Sequence, residues 1–139
     1  MGKLKPKSGD SGKGKLTLPS STTSTNNSQL EPPVFCLRYL TKGYSLSDCQ
    51  KEEKAAFADT LERLSNLTWS QIFSAGRRGC GFEKISRSSI KSSVPPHVTD
   101  DVVFIAFRFC AKAPMVGYRE DSIFRIVWID RDFTLYDHG

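Results

Sequence analysis

Apolar and polar positions alternate most sharply in the last third of the chain. From Val102 to Cys110, Val103, Ile105, Phe107 and Phe109 share one side of an extended backbone, and Val102, Phe104, Ala106, Arg108 and Cys110 share the other. Both sides are apolar apart from Arg108, the pattern of a central strand covered on two faces. Ile123 to Ile129 repeats the two-residue period, with Phe124, Ile126 and Trp128 on one face and Ile123, Arg125, Val127 and Ile129 on the other. Between these runs, Lys112-Ala113-Pro114 reads as a turn and Met115 to Arg119 as a strand. Glu120-Asp121-Ser122 reads as a tight hairpin connection. Asp130-Arg131-Asp132 turns the chain again, and Phe133 to Tyr136 reads as a short final strand.

Upstream the period changes. Phe57, Leu61 and Leu64 stand at i, i+4 and i+7, one apolar stripe on a helix whose other faces carry Lys51, Glu52, Glu53, Asp59, Glu62 and Arg63. Ser47 with Gln50 is the expected capping box, and Asn66 the expected end. A second helix follows at once. Thr68 and Gln71 form its box, Leu67 and Ile72 are spaced as a hydrophobic staple, and Gly76 is the expected stop. Val34 to Leu40 after Pro32-Pro33 reads as a first strand, Phe82 to Ile85 as a short one, and Ser86 to Pro96 as irregular. Two helices therefore precede a meander without β-α-β alternation. The fold expected is α+β, a helical hairpin packed on one face of a twisted antiparallel sheet of about four strands.

Composition divides the chain into a disordered basic tail, 1–31, and a single α+β domain, 32–139. The tail is Lys, Gly, Ser, Thr and Asn with too little apolar surface to offset chain entropy. It also holds most of the net charge of +5: residues 1–30 carry five lysines against Asp10, whereas the rest carries fifteen basic against fourteen acidic side chains. High pI is thus a weak pointer to nucleic acid for the domain itself. Neither an apolar leader nor a run of 18 apolar residues is present, so a cytoplasmic location is expected.

Cys36, Cys49, Cys80 and Cys110 lack zinc spacing and read as ordinary reduced cysteines, with Cys36 and Cys110, inside strand-like runs, as small core hydrophobes. Asp130 and Asp132 have no third ligand near them, so a turn role is expected and no metal or cofactor is predicted. Arg77-Arg78-Gly79-Cys80-Gly81 is a basic, glycine-bearing loop able to approach a phosphate, and Arg87 and Arg119 extend the candidate nucleic-acid contacts. His97, beside Pro95-Pro96, reads as a solvated histidine.

The helix pair 47–75, the three-strand meander and the stretch MVGYREDSIFRIVWID resemble the bacterial RelE/ParE toxin superfamily, over residues 34–139. The resemblance implies a toxin-like protein of a toxin–antitoxin system: a metal-independent ribonuclease or translation inhibitor acting on RNA or the ribosome, with a small antitoxin-like partner. It implies Arg108, Arg125, Tyr136 and His138 as catalytic residues, placing the ribose 2′-hydroxyl and stabilising the phosphorane. A cationic patch of Arg108, Arg119 and Arg125 is expected if their faces agree in register. The chain departs from the family in being nearly neutral over its domain, with Glu120, Asp121, Asp130, Asp132 and Asp137 beside the candidates. Two other functions stand beside it: a non-catalytic nucleic-acid-binding module using the basic tail and the Arg77-Arg78 loop, and a partner-binding protein without enzymatic activity whose sheet edge or apolar face is covered by another chain.

Overall fold

A computed structural model describes residues 28–137. Chain order is β1 (Val34–Cys36), α1 (Lys51–Leu64), α2 (Trp69–Cys80), β2 (Glu83–Ile85), β3 (Phe104–Cys110), β4 (Ala113–Glu120) and β5 (Ile123–Ile129), with single 3-10 turns at Leu46–Asp48 and Arg87–Ser89. The strands lie in the order β1-β5-β4-β3-β2. All pairs are antiparallel except β1 with β5, which is parallel. The protein is α+β as its pattern predicts, but the sheet is mixed and five-stranded. The parallel strand arises because β1 precedes the helices: α1 and α2 carry the chain across before it enters β2 at the far edge.

Each face of the sheet has its own core. On one face Phe57, Leu64, Trp69 and Ile72 of the helices pack with Ile105, Phe107, Phe109, Met115, Phe124, Ile126 and Ile129. On the other, Phe104, Ala106, Val116, Tyr118, Val127 and Trp128 are covered by Ile85, Val98, Leu135 and Tyr136, with Tyr44, Ile90, Val94 and Val102 at the margin. The two-sided apolar pattern of β3 is realised, one side under helices and the other under irregular chain.

Strict alternation fails in β5. Val116 pairs with Trp128 and Gly117 with Ile126, so Val127 is an extra residue in the ladder. This bulge moves Trp128 off the helix face and Ile129 onto it, the reverse of the two-residue pattern. Gly117 permits it: a Cβ there would stand inside the carbonyl of Arg125, with Arg125 C at 2.8 Å and Ile126 Cα at 2.9 Å.

Other boundaries shift for local reasons. The first helix is capped not by Ser47–Gln50 but in two steps: Asp48 accepts from the Ser45 N–H at 3.1 Å and Glu53 from the Gln50 N–H at 2.7 Å. The second box is as predicted, Thr68 and Gln71 exchanging bonds of 2.9 and 3.1 Å. Gly76 kinks α2 at φ 62° without ending it; one more turn runs to Cys80, and Gly81 closes it in the left-handed conformation. The hairpin between β3 and β4 turns at Ala111-Lys112, and Ala113 and Pro114 already belong to β4.

Residues 133–136 do not form a strand. The buried Asp130 carboxylate accepts from Thr134 N at 2.8 Å and Leu135 N at 3.0 Å, winding the chain into a turn that returns Leu135 and Tyr136 to the core. The turn role expected of Asp130 holds. The tail expected over 1–31 lies mostly outside the described residues. Its last part is packed: Glu31 and Gln29 carbonyls accept from the Trp69 and Ser70 N–H groups at 2.9 Å, and Ser28 is buried. Order therefore begins before Pro32, because these residues satisfy the free N–H groups at the start of α2.

Candidate functional site: an arginine cleft at one end of the sheet

The kink at Gly76 decides where the basic segment goes. Arg77 and Arg78 lie on the added helical turn rather than on a loop. That turn places them beside Arg63 of α1 and Arg108 at the end of β3. Together with Thr60, Gly79, Cys80, Gly81, Phe109 and Ala111 they line an open cleft of about 440 Å³. The lining holds four arginines and no carboxylate.

Glu83 sets the spacing of two of them, 3.7 Å from Arg77 Nε and 3.8 Å from Arg108 Nη2. Both pairs are long and partly solvated, so they orient the guanidinium groups without committing them. Gly81 matters to the packing, since a Cβ there would lie 3.1 Å from the Arg108 Cβ. Beneath the cleft Thr60 Oγ1 donates to the Phe109 carbonyl at 3.2 Å, fixing α1 to β3. Burial pushes the Cys80 thiol up, with Arg63 opposing, so it is a protonated floor group rather than a nucleophile.

Tyr136 stands behind this site. Its phenol is pushed up to about 12, first by burial and then by Glu83 and Asp130, against the opposing charges of Arg108 and Arg77. At neutral pH it is an O–H, able to donate a proton and not to accept one. It is buried rather than part of the cleft lining.

The remaining sequence candidates are elsewhere. Phe104, Tyr118 and Arg125 are in register across β3, β4 and β5, which puts Arg125 four residues along the sheet from Arg108, roughly 13 Å at 3.3 Å per residue. It is ion-paired to Glu120 and lies 5.6 Å over the Tyr39 ring. Arg119 points to the opposite, helix-bearing face, with its guanidinium 4.5 Å over Trp69 and 5.4 Å over Phe73. It donates to Ser28 Oγ at 3.1 Å and to the Asp121 carbonyl, and burial lowers its pKa. The cationic patch of Arg108, Arg119 and Arg125 therefore does not form: one lies at the far end and one on the other face.

Arg87 donates to the Thr99 and Val98 carbonyls at 2.7 and 3.1 Å, pinning the irregular chain over the second core. His138 lies outside the described residues. The structure thus gathers Arg77, Arg78, Arg108 and Tyr136 and disperses Arg87, Arg119 and Arg125. Arg63 and Glu83 were missed by sequence reasoning. Arg63 sits on the polar face of a helix, where an arginine carries no signal, and Glu83 is one acid in a three-residue strand.

Among the described residues no three His, Cys, Asp or Glu side chains converge on a point that could hold a metal, and no helix is long and apolar enough to cross a membrane. Comparison with protein-family models, curated proteins and solved structures finds no match to this chain.

Proposed function

We propose that this protein is a toxin-like, metal-independent ribonuclease or translation inhibitor that engages RNA through the arginine cleft. The observation that carries the proposal is the convergence of Arg63, Arg77, Arg78 and Arg108 on a cleft with no carboxylate in its lining. Such a site attracts phosphate, and planar guanidinium groups suit bidentate contact with its oxygens. The resemblance to RelE/ParE toxins supplies the chemistry. The ribose 2′-oxygen attacks the adjacent phosphorus, the 5′-oxygen leaves, and the arginines balance charge on the phosphorane. Tyr136 is held as a neutral phenol behind the lining, which suits it to support Arg108 and not to act as base. A small antitoxin-like partner would neutralise the activity by covering the same arginines.

The test is induced expression in bacteria together with RNA cleavage in EDTA. The wild-type chain should arrest growth and leave 2′,3′-cyclic phosphate ends. The double variant Arg77→Ala/Arg108→Ala should do neither while staying folded, and its RNA-binding salt slope should fall by about 1.4, two phosphate contacts' worth. RNA binding without cleavage would make the protein a non-catalytic nucleic-acid-binding module. Absence of both arrest and binding would end the proposal.

A further inference from the structure

The opposite end of the sheet holds a second concavity, about 550 Å³, which the arginine cleft does not use. One wall is made by His97 and Tyr118, their ring centroids 6.1 Å apart. His97 is exposed, but it is not a loosely solvated side chain. Its ring lies on Tyr39 at 4.0 Å between centroids and 31° between planes, and Tyr39 is itself flanked by the guanidinium groups of Arg38 and Arg125. The imidazole is thus held in place from behind and presents a fixed aromatic surface. Phe73 of α2 contributes a second ring to the lining, and Val103, an exposed valine just before β3, adds apolar surface at the mouth.

The polar groups of this cavity are of both signs. Lys84, whose side chain makes no hydrogen bond or ion pair among the described residues, supplies a cation. Asp101 and Glu120 supply acceptors that are already oriented, by Thr99 and Arg125. Aromatic and apolar surfaces with polar groups of both signs suit a flat molecule with hydrogen-bonding edges and an anionic tail. The volume is in the range of small-molecule sites, about 300–1,000 Å³.

From this geometry we infer that the cavity between His97, Tyr118 and Phe73 is a nucleotide-binding site, in which the base stacks against the imidazole and Lys84 meets the phosphate. A base presents the same faces and edges whether carried by a free nucleotide or by single-stranded RNA. The site stands on its own residues and holds whether or not the arginine cleft acts on RNA.

The experiment uses the full chain and follows the ring resonances of His97 and Tyr118 by NMR during titration with adenosine 5′-monophosphate, with inorganic phosphate as control. The mononucleotide should shift both rings and phosphate alone should not. His97→Ala should weaken binding about 5- to 150-fold, the range that base–aromatic stacking produces. Lys84→Ala, on an exposed side chain with no structural partner, should weaken it several-fold with the fold intact. Arg77→Ala/Arg108→Ala should leave the affinity unchanged, which separates this site from the cleft. In that same variant, a pentanucleotide binding more tightly than the mononucleotide would identify RNA as the source of the base, and equal or weaker binding would identify a free nucleotide. Unmoved His97 and Tyr118 resonances at millimolar mononucleotide, or wild-type affinity in His97→Ala, would overturn the inference.

Discussion

The two ends of the sheet carry the same residue type and use it differently. At the end of β3, Arg77 and Arg108 share one glutamate at 3.7 and 3.8 Å and otherwise face an open cleft. At the other end, Arg119 is spread over two rings with hydrogen bonds to Ser28 and Asp121, and Arg125 is bonded to Glu120 over Tyr39. An arginine whose donors and π-face are already engaged holds the fold together; one held by a long, wet ion pair is available to a ligand. Occupancy of the guanidinium, more than its place in the sequence, separates the two.

The largest expected effect comes from removing what keeps the ends apart. Gly117→Ala forces a methyl group into the backbone of Arg125 and Ile126. Neither is a flexible side-chain tip, so urea melts should show a loss of about 4 kcal/mol or more, the range reserved for severe core damage. A loss under 1 kcal/mol would mean that the bulge relaxes and the contrast between the ends is less rigidly set.

A smaller effect is expected at high pH. The Tyr136 phenol is raised from 10.0 to about 12 in the folded chain. A raised phenol contributes all of its stability below pH 10 and loses it as the pH climbs through the folded value. At ~1.4 kcal/mol per unit the total loss is about 2–3 kcal/mol. Denaturation between pH 9 and 12 should show this decline, and Tyr136→Phe should flatten it. An unchanged profile in the variant would show that Tyr136 is not the buried phenol of the arginine end.

The comparison itself is sharpened by one pair of variants. Arg119→Ala loses two ring contacts and two hydrogen bonds and should destabilise by about 2 kcal/mol. Arg108→Ala gives up only a weak ion pair and should change stability by less than about 1 kcal/mol while sharply reducing RNA binding. Thermal melts and binding on both variants check this. Equal destabilisation by the two would erase the distinction drawn here.

Much of the fold was legible because it follows from periodicity. The 3.6-residue stripe of α1, the Thr68–Gln71 box and the two-sided apolar run of β3 all appear where the pattern put them. What was not legible depends on a single residue acting against the local pattern. Val127 as a bulge looks like any strand valine, and nothing local says that β1 will run parallel to β5. Gly76 looks like a stop because glycine usually is one, yet the turn beyond it is completed by tertiary contacts. The site suffered for the same reason. Arg77 and Arg78 are candidates from the glycine-bearing segment and Arg108 from the family resemblance, but which arginines meet is set by register and by the kink, and Arg63 joins them only because α1 ends alongside β3.

Val127 has one more consequence, best put as a matter of parity. Along an extended chain each residue reverses the side to which the next one points, so an odd insertion inverts everything downstream unless a bulge absorbs it. Because the bulge sets Val127 and Trp128 on one face, Trp128 joins the far core, and the segment that follows also delivers Leu135 and Tyr136 there, beside Arg108 and Glu83. Drawing that one valine into regular pairing would turn Trp128, Ile129 and the segment after them over, whereas deleting it would leave their faces as they are. The chemistry behind the cleft therefore depends on counting: one residue outside the ladder, two positions after Arg125, sets which side of the sheet the C-terminal segment reaches.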